Sequence, residues 1–375
     1  MHAILHALSL TGSMAWEITW ALILGFTLSA VVQAVVRKSA IASRLGNDRP
    51  RTLATAAGLG MASSSCSYAA VALARSLFRK GADFTTAMVF QIASTNLVVE
   101  LGVILALLMG WQFTVAEFTG GTVMIITLAL LFRIFLSNSL VREAQKQAEK
   151  KLLGSMEGHA AMNMSVQREG SFSQRLLSRE GFTATSRIFV MEWAAIGRDL
   201  VVGLLIAGAI AAWVPDSFWS MFFFRDHPLA SKVWGPLIGP LVAILSFVCS
   251  VGNIPLAVVL WKGGISFGGV MSFIFADLLI LPLLNIYRKY YGMRATFFLL
   301  ATFYATMVVS GYVMELTFTA FDLVPDPPDT VIPAEGVSWN YTTGLNIFFL
   351  ALAAVLTWRF FRTGGSAMLR MMDSP

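Results

Sequence analysis

Long apolar stretches separated by short polar connections dominate the hydrophobic pattern of this 375-residue chain. The stretches that are almost free of ionisable side chains lie at 18–36, 84–108, 120–131, 200–213, 297–313 and 345–357. With their mostly apolar flanks, each approaches the roughly 20 residues that an α-helix needs to cross about 30 Å of hydrocarbon. The pattern predicts an all-α polytopic membrane protein.

Composition supports this prediction and excludes other classes. Hydrophobic residues make up 57% of the chain and charged residues 13%, which is about half the usual share of charge in a soluble domain. The net charge of +6 does not indicate nucleic-acid binding, because Lys and Arg lie in short loops beside apolar spans. Two cysteines are too few for a disulfide scaffold.

One polar segment divides the chain. Residues 138–190 are predicted to form a basic cytoplasmic linker between a first membrane repeat, 1–137, and a second, 191–375, which ends in C-terminal helices and a short cytoplasmic tail. The helix that precedes the linker is expected to continue into it for a few turns, and the rest is expected to be flexible.

The two halves resemble each other at a constant offset of 183 residues. At this offset Cys66 aligns with Cys249, Ser67 with Ser250 and Gly81 with Gly264, without a gap. Apolar segments match one another by chance, so the argument depends on the cysteine–serine pair and on the glycine. These matches predict an internal repeat.

Charge predicts the orientation of the repeats. Basic residues cluster at 37–51, in the linker and in the tail, whereas 321–336 carries four acidic residues and no basic one. The positive-inside rule therefore places the linker and the C-terminus in the cytoplasm and the N-terminus outside, in a bacterial cytoplasmic (inner) membrane.

Three apolar segments lie between residue 51 and the linker. If all three crossed the membrane, residue 51 and the linker would lie on opposite sides, but their basic residues place both in the cytoplasm, so one segment cannot span. The range 52–79 is predicted to be a re-entrant hairpin that enters from the cytoplasm, and the same count makes 233–262 a hairpin that enters from outside. The expected architecture is an inverted-topology repeat with about seven transmembrane helices and two opposed hairpins.

Polar side chains at the two predicted hairpin tips are candidates for substrate binding. They are Ser63, Ser64, Ser65, Cys66, Ser67, Cys249, Ser250 and Asn253. The thiols could be soft ligands for a thiophilic metal, a metalloid or a sulfur compound. The alternatives are that the cysteines are small buried residues and that the serines hydrogen-bond within their own helices.

The helices after the hairpins carry the remaining candidates. Ser94, Thr95 and Asn96 extend the predicted substrate site, and Asp277 and Glu100 are candidates for proton coupling. A carboxyl group deep in a membrane is expensive to bury and marks function by default, although a structural carboxyl is the alternative. No nucleotide-binding, zinc-protease or serine-hydrolase motif is present, so neither catalysis, a resident metal nor a cofactor is predicted.

At these residues the sequence resembles the predicted-permease family that includes YraQ and the organoarsenical exporter ArsP. The segments that carry the resemblance are VALARSLFRKGA, ASTN, VCSVGNIPLAVVLWKGGIS and GRDLVVGLLIAGAIAAWVP. The family often has a second cysteine where this chain has Tyr68. The resemblance implies a permease for a small solute, with efflux of a thiophilic metalloid or metal compound as the first candidate.

The sequence leaves alternatives open. A small sulfur-containing or other anion is the second candidate substrate, because half-helix N-termini attract negative charge. An intramembrane enzyme, a channel and an accessory membrane subunit are the alternative classes. Membrane lipid and the small solute are the expected partners, nucleic acid is not expected, and a homo-oligomer is left open.

Overall fold

The structure is a computed structural model, and it describes residues 2–35, 45–63, 67–79, 81–149, 174–175, 177–213, 216–225, 227–246, 253–325 and 341–373. Within these ranges the regular elements are all helical. The helices of the first half are α1 His2–Val35, α2 Pro50–Ser63, α3 Ser67–Arg79, α4 Phe84–Asn96, α5 Val99–Leu108, α6 Trp111–Phe135 and α7 Asn138–Ala148. Those of the second half are α8 Arg179–Trp213, α9 Asp216–Phe222, α10 Pro228–Ser246, α11 Asn253–Lys262, α12 Phe267–Phe275, α13 Leu281–Tyr291, α14 Met293–Ala320, α15 Tyr341–Arg362 and α16 Ser366–Asp373.

Several of these helices are long and apolar enough to cross a membrane. Among the described residues, five continuous stretches meet both conditions, and they are Phe84–Leu108, Trp111–Phe135, Pro228–Leu245, Met293–Ala320 and Thr343–Arg362. A sixth is obtained if the pair Phe267–Leu278 and Leu281–Tyr291, bent by 42°, is counted as one span. The all-helical, multi-pass class predicted from the sequence is therefore confirmed.

The count of seven spans stays a prediction, while one segment differs from its expected role. Two of the seven expected spans fall in α1 and α8, which are not among these stretches, although both helices are long, with 34 and 35 residues. Conversely, α10 meets the span conditions, whereas the sequence predicted an arm of a hairpin there. The difference arises because α10 begins at Pro228, five residues before the predicted start, and so reaches 19 residues.

The offset of 183 residues recurs in the helix boundaries. α2 ends at Ser63 and α10 at Ser246, α3 ends at Arg79 and α11 at Lys262, and α4 and α12 begin at Phe84 and Phe267. α5 and α13 likewise end at Leu108 and Tyr291. The agreement between the two halves extends to packing, because α4 contacts α2, α3 and α6 just as α12 contacts α10, α11 and α14.

The two sets of helices meet along α6 and α14. These two helices pack against each other, and the Ser310 hydroxyl on α14 donates a hydrogen bond to the Gly120 carbonyl on α6 over 2.7 Å. α1 packs along α8, and α15 packs against both. The centre of the molecule is consequently formed by α4, α6, α12 and α14, whose inward faces are buried.

The range predicted as a linker is partly helical. After a short break at Leu136 and Ser137, α7 begins as a separate helix, capped by the Ser137 hydroxyl, rather than as a continuation of α6. α8 begins at Arg179, inside the same range. Residues 150–173 lie outside the described residues.

Candidate functional site

Two helix breaks define the candidate site. The first separates α4 from α5 at Leu97 and Val98, where the backbone leaves the helical region and Val98 becomes extended (φ −106°, ψ 142°). The second separates α12 from α13, with a 3₁₀ turn at Ala276–Leu278 and Pro282 in the first turn of α13. Proline has no backbone N–H and fixes its φ angle, so it suits the start of a helix. The two breaks occupy equivalent positions at the 183-residue offset.

A buried polar cluster joins the two breaks. The Asp277 carboxylate lies in the 3₁₀ turn with no exposed surface. It accepts a hydrogen bond from the Ser67 hydroxyl over 2.9 Å and a longer one from the Asn96 amide over 3.4 Å. The Asn96 amide also donates to the Thr95 hydroxyl over 3.0 Å. Asp277 therefore connects the second break with the end of α4 and the start of α3.

A second connection fixes the carbonyl next to Asp277. The Gln91 side-chain amide on α4 donates to the Tyr287 hydroxyl on α13, and that hydroxyl donates to the Leu278 carbonyl over 3.2 Å. All three residues are fully buried. The backbone around Asp277 is thus held from both halves of the molecule.

The other predicted polar residues behave differently. Ser63 donates to the Gly60 carbonyl, Ser94 to the Gln91 carbonyl and Thr95 to the Ile92 carbonyl, all within their own helices. These are the local bonds that serine and threonine ordinarily make in apolar helices. In the described arrangement these three hydroxyls therefore satisfy the backbone.

The remaining predicted residues are two that the structure describes and five that lie outside the described ranges. Asn253 is fully buried at the start of α11, and Glu100 is half-buried in the first turn of α5, beside the exposed Val99. The predicted tip residues outside the described ranges are Ser64, Ser65, Cys66, Cys249 and Ser250. The proposed role of the two thiols stays a prediction.

Sequence reasoning missed Glu117. It lies just before the charge-free stretch at 120–131, but α6 begins at Trp111 and buries Glu117 completely. Neither carboxylate oxygen has a hydrogen-bond partner among the described residues, and Asp277 is close enough to interact with it electrostatically. The signal was available, because Gly110 ends the preceding helix and leaves Glu117 almost two turns inside the next one.

The chemistry of the site follows from these groups. Two carboxyl groups, an amide and a hydroxyl can bind and release protons and can hydrogen-bond a small solute. Within the described ranges, no three His, Cys, Asp or Glu side chains are grouped so that they could hold a metal ion. The described part of the site is therefore oxygen-rich and acidic.

Comparisons with known proteins point to one family. The family model ArsP_1, described as a predicted permease, matches residues 3–316. The chain is also 68% identical over 338 residues to the protein named "Putative permease Rv2963" of Mycobacterium tuberculosis, an alignment that covers 90% of this chain and 83% of that protein. No solved structure matches the chain significantly. The family predicted from the sequence motifs is therefore confirmed, and this chain, a multi-pass membrane protein, belongs to the predicted permease family ArsP_1.

Proposed function

We propose that the chain is a secondary transporter that moves a small solute across the cytoplasmic membrane by alternating access. The observation that carries this proposal is the buried Asp277–Ser67–Asn96 cluster at the point where two helix breaks meet. Broken helices and buried carboxyl groups near the middle of a membrane are costly, and they are typical of the sites at which transporters bind substrates and ions. Membership of a permease family favours a transporter over an enzyme.

An inverted-topology repeat is part of the proposal. The matching boundaries, packing and breaks at the 183-residue offset support two related halves. α2 and α3, with 14 and 13 residues, would each reach only about 20 Å at about 1.5 Å per residue, which is less than the hydrocarbon thickness. Their lengths favour a re-entrant hairpin over two spans. The opposite orientation of the halves rests on the distribution of charge.

The proposed substrate is a thiophilic metalloid or metal compound that leaves the cell. This choice rests on Cys66 and Cys249, one in each half at equivalent positions, and on an acidic site that disfavours anions. A small sulfur-containing or other anion is the second candidate. The observation in its favour is that α5 and α13 both begin at the breaks without a side-chain cap, which leaves backbone N–H groups available.

Counterflow into proteoliposomes tests the proposal. The purified protein is reconstituted into proteoliposomes, which are preloaded with one unlabelled compound at a time from a panel of trivalent arsenicals, transition-metal ions and sulfur oxyanions. Uptake of the same compound in labelled form is then followed. We expect counterflow of at least one thiophilic compound, with a loss of tenfold or more in Asp277→Asn, because that change removes the charge that organises the site. Tenfold corresponds to about 1.4 kcal/mol, which is close to the lower end of the about 1.5–3 kcal/mol that a hydrogen bond to a charged group contributes.

The matched control is Glu143→Gln. Glu143 is an exposed carboxylate on α7 that pairs with Arg294, so its loss should leave counterflow unchanged. If a sulfur oxyanion were the only compound to show counterflow, the result would support the second candidate substrate and contradict the first. Ion conduction without counterflow would instead indicate a channel and contradict alternating access.

A further inference from the structure

Glu117 and Asp277 form a pair of buried carboxyl groups at the centre of the molecule. Glu117 lies on α6 and Asp277 in the 3₁₀ turn after α12, and neither has exposed surface. The face of α6 that carries Glu117 continues through Gly120, which packs against the Phe275 ring, and Gly121, which packs against the Leu97 side chain. Residues three and four apart share a helix face, so Glu117 lies on the side of α6 that contacts both breaks.

Three buried side-chain oxygens of this region have no hydrogen-bond donor among the described residues. Both carboxylate oxygens of Glu117 and the side-chain oxygen of Asn96 are buried without a hydrogen-bond partner among the described residues. Asn96 uses its amide nitrogen on Asp277 and Thr95, so its oxygen remains available on the other side. A buried acceptor without a donor costs about 1–3 kcal/mol, and more when it is charged. The arrangement therefore calls for a positively charged or hydrogen-donating species.

Candidates for this role within the described ranges are the positively charged groups on the helices around α6. α6 packs against α4, α5, α12 and α14. The described ionisable side chains of α6 and these helices, besides Glu117, are Glu100, Arg133, Arg294, Tyr304, Tyr312 and Glu315.

Two of these groups have partners of their own, since Arg294 pairs with Glu143, and Glu315 accepts the Gly268 N–H and pairs with Lys232. Asp277, two residues after the Phe275 ring that Gly120 contacts, is a charged neighbour that acts electrostatically on Glu117.

We propose that Glu117 and Asp277 hold one exchangeable proton between them, and that this pair is the site at which proton movement is coupled to transport. Two ionised carboxylates close together in a medium of low dielectric constant repel each other strongly, so one of them carries a proton. When the proton leaves to water on one side of the membrane, the pair gains a negative charge and draws in either a new proton or a substrate that donates hydrogen bonds. The inference rests on the proposed transport function, and it names the coupling ion.

Infrared difference spectroscopy tests the proton without any substrate. The reconstituted protein is stepped between acidic and alkaline buffers, and the C=O stretching band of a protonated carboxyl group is followed. We expect a band that is lost in Glu117→Gln. In Asp277→Asn its pH midpoint should move by about one unit or more, because coupled groups titrate as a pair. Glu143→Gln, which removes an exposed carboxylate, should leave that band in place.

Several outcomes would overturn the inference. The band could survive in Glu117→Gln, or its midpoint could stay the same in Asp277→Asn, and either result would show that no proton is shared. A band change at fixed pH when sodium replaces potassium would assign the site to a sodium ion instead. Size-exclusion profiles of the variants that match the parent protein exclude misfolding as the cause of a lost band.

The test is separable from that of the transport function. Counterflow together with an unshared proton would support the transport function and contradict the proposed coupling site. A shared proton without counterflow of any compound would keep the carboxyl pair and contradict the transporter.

Discussion

Arg75 is a fully buried arginine that ties three helices together at one point. On α3, its Nε and Nη2 atoms donate to the Ala148 carbonyl at the end of α7, over 3.2 and 2.9 Å. Its guanidinium group lies 4.3 Å from the centre of the Tyr290 ring on α13. The last carbonyls of a helix lack partners within the helix and carry a partial negative charge, so a cation there is favourable. Position 258, its equivalent in the second half, is a valine, and this tie is therefore specific to the first half.

Arg75→Lys should loosen α7. Lysine cannot present two N–H groups in a planar fork or stack on the Tyr290 ring as arginine does. Hydrogen bonds to charged groups contribute about 1.5–3 kcal/mol, so the partial loss predicts roughly tenfold faster hydrogen exchange in α7. Hydrogen–deuterium exchange with mass spectrometry measures this directly.

Arg79→Lys is the control for this change, because Arg79 is an exposed residue at the end of the same helix. Equal exchange in α7 for both variants would show that the contacts of Arg75 do not hold that helix in place.

The hydrogen-bond partners of individual hydroxyl groups show how much of the site could be predicted from the sequence. The density of serines and threonines before the first break was visible in the sequence, but the choice between bonding the local backbone and reaching across to Asp277 was not. Ser94 and Thr95 take the first course and Ser67 the second, although all three are fully or almost fully buried. The choice depends on which helix lies opposite, which is a property of the tertiary packing.

Close approach of helices at small residues is the main feature at the element scale. A Cβ atom built on Gly60 of α2 would lie 2.6 Å from the Phe90 carbonyl oxygen and 2.9 Å from the Ala93 side chain, both on α4. Small residues let helix backbones come together in a membrane, where helix association depends on close van der Waals packing. Gly60 is therefore required by the packing of α2 on α4.

Gly60→Ala should destabilise the protein. The added methyl group meets backbone atoms that cannot move aside easily, and overpacking of this kind costs about 1–3 kcal/mol. Thermal unfolding in detergent, followed by tryptophan fluorescence, should show a lower midpoint.

Gly58→Ala on the same helix is the matched control, since a Cβ atom there meets nothing within 4 Å. Alanine is the better helix former by about 1 kcal/mol, so this variant should be as stable as the parent or more stable. Equal destabilisation by the two changes would argue against the tight contact.

Helix boundaries show what the sequence can predict at this scale. The starts of α4 and α12 follow turns with Gly81 and Gly264, whose φ values of 96° and 93° suit glycine, and the sequence pattern placed the start of α4 at residue 84. The charge-free stretch at 120–131 begins nine residues after the start of α6 at Trp111, because Glu117 interrupts the apolar pattern. Local patterns indicate turns well, but whether a charged residue is buried is decided by the neighbouring helices.

Two sets of helices that share several boundaries at the 183-residue offset, and that pack alike, dominate the molecule as a whole. If they are inserted in opposite orientations, the ends of α2–α3 lie together in the cytoplasm and the ends of α10–α11 lie together outside. The length of α10, which meets the span conditions by itself, makes the second hairpin the more demanding case.

Labelling of single cysteines measures this arrangement. In a background in which Cys66 and Cys249 are replaced by serine, cysteines are introduced one at a time at Asp48, Arg79 and His227, which are exposed, and at the partly exposed Lys262. A membrane-impermeant maleimide added to intact cells should label positions 227 and 262 and leave 48 and 79 unlabelled. Labelling of 79 from outside would contradict the first hairpin, and opposite behaviour of 227 and 262 would contradict the second.

The depth of Asp277 has an electrical consequence. It lies ten residues after the start of α12, so a proton that reaches it along this helix travels about 15 Å, half of a hydrocarbon layer of about 30 Å. A potential of 100 mV across the whole layer is equivalent to about 2.3 kcal/mol per unit charge. Half of that, roughly 1 kcal/mol, would act on the occupancy of the Glu117–Asp277 pair, which makes its protonation sensitive to voltage as well as to pH.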